Sequence, residues 1–161
     1  MIWIRYINLG FAVFVVLAPV AHVLELPNKL ALDAALWLAV QQHLYRGWGP
    51  FLGGPTEIGA LLTTIWLVYL RRRSSTVLAA TGLASAGYVG MLAAFFVLNK
   101  PVNAAVSSWT PTGLPLDWAA YRTRWEAGHA IAALLSVVSL AALVWAYVKE
   151  RQVRSSTLVP T

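Results

Sequence analysis

Apolar positions run almost unbroken through four stretches of the chain, and polar positions gather between them. The stretches cover roughly residues 7–26, 51–70, 76–98 and 125–148. Each holds about 20 residues, enough at about 1.5 Å per residue to cross a hydrocarbon layer about 30 Å thick. Backbone groups in lipid must be satisfied internally, so the four spans are predicted to be helices. The first opens after Arg5 and no small-residue cleavage site comes after it, so it reads as a retained span rather than a signal peptide. Residues 33–46, DAALWLAVQQHLYR, predict a further helix capped by Asp33 and lying on the outer surface between Pro27 and Pro50. In the next long loop Asp117 stands where it can cap a helix running into the fourth span. The pattern therefore predicts an all-α, four-helix transmembrane bundle with both termini cytoplasmic and helical outer loops capping it. Residues 1–154 form the single membrane domain, and 155–161 a disordered tail.

Composition agrees. Of 161 residues, 59% are hydrophobic and 11% charged, beyond the globular range. No cysteine is present, which excludes disulfides, thiolate catalysis and cysteine metal ligands. The net charge of +6 would suit nucleic acid, but the bases bunch at the ends of apolar runs instead of forming a stripe. Arg5, Arg71, Arg72, Arg73, Lys149, Arg151 and Arg154 share one side; Lys29, Arg46, Lys100, Arg122 and Arg124 share the other. The excess places the termini inside, as in a bacterial inner membrane. Tryptophans mark both predicted interfaces: Trp3, Trp66 and Trp145 inside, and Trp37, Trp48, Trp109, Trp118 and Trp125 outside. Gly82, Ala86 and Gly90 recur every four residues on the third span, a small-residue face suited to close helix approach and to a homo-oligomer.

Charge bias does not explain where the acids fall. Glu25, Asp33, Glu57, Asp117 and Glu126 all lie on the outer side, with His22, His43 and His129. The first span reads HVLE and the fourth EAGH; the two helices run in opposite directions, so each histidine is the deeper member of its pair. His22 lies 17 residues past Arg5 and His129 20 before Lys149, roughly 26 and 30 Å. Three-residue spacing puts histidine and glutamate on one helix face. Glu57, 14 residues before Arg71, is roughly 21 Å deep, where a carboxylate needs a partner, a proton or a metal.

Arrays of this kind hold transition metals in helix bundles. His22, Glu25, Glu57, Glu126 and His129 are thus candidate metal ligands, with copper, iron and zinc undistinguished. Glu57, Glu126 and His129 are the candidate catalytic groups, and Asn99, Asn103 and Trp125 are expected to shape the pocket. Plainer readings stand beside these. Glu25 with Lys29, and Glu126 with Arg122, have the spacing of solvated i,i+4 pairs. His43 reads as an exposed residue, Glu57 as an N-terminal helix charge, and Pro19 as a kink or a pocket opener.

Four segments, HVLELPNKL (22–30), VQQHLYRGWG (40–49), LNKPVN (98–103) and RWEAGH (124–129), resemble the anthrone-oxygenase-like family of small four-span membrane proteins. The resemblance covers most of the chain, in order. Some fungal members of that family are assigned to oxidising anthrones to anthraquinones with dioxygen, so it implies oxygen chemistry on an apolar substrate; it carries over no catalytic residues. The leading expectation is a membrane-embedded, oxygenase-like oxidoreductase with a His/Glu metal site near the outer leaflet, or a cofactor-free one in which a carboxylate abstracts a proton. The alternatives are noncovalent haem b between His22 and His129 for electron transfer, or a non-enzymatic binding or scaffold protein.

Overall fold

The computed structural model describes residues 2–71 and 75–156, and the side chains of 2–70 and 77–152. The Arg71, Arg72 and Arg73 side chains lie outside those bounds. So does the expected tail 155–161 beyond Ser156, the last helical residue described.

The described residues form helices joined by short turns and one longer loop, 107–117, without strands. α1 (Ile2–Leu24) leads to two short helices, α2 (Leu26–Leu30) and α3 (Ala34–Ala39), the latter continued by a π-helical turn, Val40–Leu44. A second π turn, Gly49–Gly53, leads into α4 (Gly54–Arg71). α5 (Ser75–Ala94) ends in a third, Phe95–Asn99, and α6 (Lys100–Val106) continues it. The last helix, α7, runs from Trp118, directly after Asp117, to Ser156. Four segments are long and apolar enough to cross a membrane: Ile2–Leu24, Gly49–Leu70, Val77–Val106 and Trp118–Gln152. By length and composition these are the four membrane-spanning candidates of a helical membrane protein, each extending beyond the hydropathy bounds at one or both ends.

α1 packs on α4 and α7, and α5 on α4 and α7, closing a ring in which α4 and α7 face each other diagonally. Small residues and Tyr88 fill the centre: Ala12, Val15, Ala60, Ala84, Tyr88, Met91 and Leu143. Large apolar side chains such as Val13, Leu17, Leu62, Ile65 and Val89 point outward, as a lipid-facing surface requires. The helices approach most closely where side chains vanish. Phe11 lies on Gly59, and Ser139 Oγ on Gly87 while donating 3.2 Å to the Ala84 carbonyl. The expected Gly82, Ala86, Gly90 seam is used only at Gly90, against Leu135; Gly82 has open space and Ala86 lies off the contact. The α5–α7 seam therefore sits one helix face over, on Ala84 and Gly87.

The end of the bundle remote from the termini carries a second core. Asp33 does cap α3, accepting from Leu36 N–H at 2.9 Å. The helix does not lie open on the surface, however. Trp37 and Leu38 are buried against Val102, Val106 and Trp125, and full burial of a leucine such as Leu38 is worth about 1.5–3 kcal/mol. Two of the five expected outer-belt tryptophans are thus core residues; Trp3, Trp66 and Trp145, at the other end, are exposed as a belt requires.

At the terminal end a polar network crosses three helices. Asn8, fully buried, donates to Thr63 Oγ1 (2.9 Å) and Thr64 Oγ1 (2.8 Å) and accepts from the Tyr147 hydroxyl (2.6 Å). Arg5 pairs with Glu150 at 2.6 Å beside it. Satisfied polar groups of this sort join helices that apolar contact alone does not distinguish from lipid.

Candidate functional site

A cavity of about 710 Å³ opens where the second core meets the bundle. All three π turns reach it, through Gln41, Gln42 and His43, through Gly49 and Pro50, and through Phe95 and Asn99. A π turn inserts one residue into a helix and turns the residues beyond it to a new face, a device frequent at functional sites. Prolines contribute as well. Pro101 offers no N–H to the Val97 carbonyl, which accepts instead from Arg124 Nη2 at 2.5 Å. Pro19, buried in α1 one turn before His22, likewise leaves a gap in the ladder below the site.

His22 and His129 form the floor. Their rings meet edge to face with centroids 4.2 Å apart. Trp125 touches both, at 4.8 Å from His22 and 4.0 Å from His129, and Tyr45 lies 4.6 Å from His22. Asn99 fixes His129. Its Nδ2 donates to the Trp125 carbonyl at 2.9 Å and stands 2.8 Å from His129 Nδ1, which is 3.0 Å from the same carbonyl. With the ring proton on Nδ1, both groups donate to that carbonyl and Nε2 keeps a free lone pair. With the proton on Nε2, Nδ1 accepts from Asn99. Asn99 reaches this position because Gly128 has no side chain: a Cβ there would overlap the Asn99 amide. Asn103 accepts from Trp125 Nε1 at 2.9 Å and holds that ring.

The carboxylates stand behind this floor. Glu126 pairs with Lys29 at 2.7 Å, both buried. Glu25 accepts from the Tyr45 hydroxyl at 2.6 Å, and its Oε2 lies 3.6 Å from His22 Nδ1, too long for a hydrogen bond. Burial, then the hydrogen bond to Glu25, push the Tyr45 hydroxyl above its ordinary value of 10.0. The i,i+4 pairs read from the sequence are thus exchanged for longer-range ones. Lys29 turns to Glu126, and Arg122 donates to the carbonyls of Lys29 (3.3 Å) and Leu32 (3.2 Å), closing the end of α2.

Of the expected site residues, His22, His129, Asn99, Asn103 and Trp125 line the cavity, and Glu25 and Glu126 stand beside it. Glu57 does not join them. It rides on α4, diagonal to α7, with Oε1 buried and without a hydrogen-bond partner. Among the described residues no three His, Asp or Glu side chains converge as metal ligands would. The five expected ligands are divided: two imidazoles in mutual contact, one carboxylate neutralised by Lys29, one bound to Tyr45, one remote. This donor set does not fit the expected metal centre. A haem between the two histidines does not fit either, because rings in contact leave no room for a porphyrin.

Sequence reading passes over Tyr45, Gln41, Gln42, Arg46 and Trp48, all of them at the cavity. The signal is present in VQQHLYRGWG (40–49), which supplies most of the cavity's outer wall. His43, exposed as expected, belongs to the same wall. Compared with known proteins, the chain matches no family model, no curated protein and no solved structure.

Proposed function

We propose that this chain is a membrane-embedded, oxygenase-like oxidoreductase that acts on an apolar, ring-bearing small molecule in the cavity, with His129 as general base. The observation that carries this reading is the His22–His129 pair set in the floor of an aromatic cavity, with His129 held by Asn99. A cavity of about 710 Å³ is of the size small-molecule sites have. Its walls include Trp48, Trp109, Trp125, Tyr45 and Phe95, which suit flat rings.

In this reading the Trp125 carbonyl accepts from His129 Nδ1 and leaves Nε2 to take a proton from an acidic C–H whose anion is conjugated with a carbonyl. His22, packed on the same ring, supports the imidazolium face and keeps bulk water out. The enolate then reacts with dioxygen: the carbon loses both hydrogens and gains a C=O, the substrate gives up four electrons, and dioxygen is reduced to one oxo group and one water. The oxygen chemistry comes from the resemblance of segments 22–30, 40–49, 98–103 and 124–129; the base and the binding site come from the geometry. With the termini cytoplasmic, as the Lys and Arg distribution implies, the cavity opens to the outer side.

Oxygen uptake by the purified protein with anthrone tests the reading. Turnover that falls about 100-fold or more in His129→Gln is expected for loss of a general base. Absence of uptake, or turnover unchanged in that variant, would remove it. A stoichiometric metal that is lost in both His22→Ala and His129→Ala would replace it with metal-dependent chemistry.

A further inference from the structure

The cavity has a sign. Glu25 and Glu126, the two nearby carboxylates, are withheld from it. Tyr45 and Trp125, stacked with centroids 5.7 Å apart, face the cavity, while Lys29 Nζ sits over the same two rings at 6.0 and 5.0 Å. Lys29 and its partner Glu126 therefore lie behind an aromatic wall. Among the described residues no Asp or Glu lines the cavity. Its wall carries donors instead. Arg46 stands at the mouth and makes no hydrogen bond or ion pair among the described residues. Gln41 Nε2 is buried without a hydrogen-bond partner. Gln42, by contrast, spends its amide on the Val106 and Trp109 carbonyls, both at 2.9 Å, which holds the wall in place.

A buried amide donor without a partner is destabilising, and a ligand oxygen would relieve that. A guanidinium recognises an oxyanion through directed, charge-assisted bonds. Resting on the aromatic-cavity reading above, we infer that the otherwise apolar, ring-bearing ligand carries one oxyanion, a carboxylate or ionised phenol, whose charged oxygen meets Arg46 at the mouth while Gln41 donates to an oxygen further in and the rings lie between Trp48 and Trp125. A phosphate of the surrounding lipid shares the same chemistry, so the test separates the two sources.

Tryptophan-fluorescence titrations of the full chain in a neutral maltoside detergent compare 2-naphthoate with 2-naphthamide, its uncharged isostere. The naphthoate is expected to bind about tenfold more tightly, the ratio a single charge-assisted contact supplies. Arg46→Gln is expected to abolish that ratio by weakening naphthoate binding about tenfold more than naphthamide binding, and Arg46→Lys to restore part of it. Equal affinity for the two probes, or an equal loss for both in Arg46→Gln, overturns the anion assignment and leaves the aromatic cavity standing. Binding of neither probe overturns both. Adding phosphatidylglycerol to the micelles is expected to leave the ratio in place; its disappearance would give Arg46 to a lipid phosphate and overturn the assignment to an aromatic ligand.

Discussion

The Asn99 amide lies directly on Gly128, filling the space a side chain would take on α7, and from there it reaches His129 at 2.8 Å. Two residues with no chemistry in common thus set the orientation of a third. In an unconstrained helix Gly→Ala gains up to about 1 kcal/mol. Here Gly128→Ala is expected to lose about 1–3 kcal/mol through overpacking, with partial recovery in the Asn99→Ala, Gly128→Ala double variant. Thermal unfolding in detergent reads both; a raised melting temperature in the single variant would disprove the contact.

Lys29 and Glu126 form a buried pair. Removing one partner leaves a charge stranded, at a cost of about 3–5 kcal/mol, whereas replacing both by neutral groups is often far less damaging. Lys29→Met should therefore be severely destabilised and Lys29→Met, Glu126→Gln much less so. A double variant no better than the single one would mean that the pair does not interact.

How much of the fold and the site is legible in the sequence depends on the range of the interaction. The four spans, the Asp33 cap and the matched depth of His22 and His129 come from periodicity and counting, because each is fixed along a single helix. Local spacing pairs Lys29 with Glu25, since neighbours along the chain are all that one sequence displays; the pairing with Glu126 depends on how the loop folds over α7. Glu57 has the depth of a site residue but rides on a helix diagonal to His129, and depth carries no azimuth. Asn8 gives no sign in the sequence of its three partners, and the π turns leave no hydropathy trace, since one inserted residue hardly changes the average over a whole span.

Two glycines on one helix should respond in opposite ways. At Gly87 a methyl group would run into Ser139 Oγ, while at Gly82 it meets nothing. Gly87→Ala is expected to destabilise the bundle by about 1–3 kcal/mol, and Gly82→Ala to leave it unchanged or up to about 1 kcal/mol more stable. The same unfolding experiment checks the sign. If Gly82→Ala instead shifts the protein from dimer to monomer in light scattering, the open face is where a second copy packs.

Tyr45 gives a prediction in alkali. Burial and the bond to Glu25 raise its folded value above the unfolded one. The folded state therefore holds the proton more tightly, and its contribution to stability is fully present below the ordinary value of 10.0 and declines as pH rises past it. The stability difference between wild type and Tyr45→Phe should be constant at neutral pH and shrink above about pH 10. A difference that grows with alkalinity would contradict the hydrogen bond to Glu25.

The π turn at Phe95–Asn99 also shapes how this protein can evolve. Each helical residue rotates the chain by about 100°, so deleting one residue there would restore an α-helix and swing Lys100, Val102 and Asn103 to new azimuths at once. Point substitutions in the cavity can be sampled singly, but this turn is inherited whole or lost whole. A length change within 95–99 would accordingly mark, in any set of natural variants, the branch where the pocket took another shape.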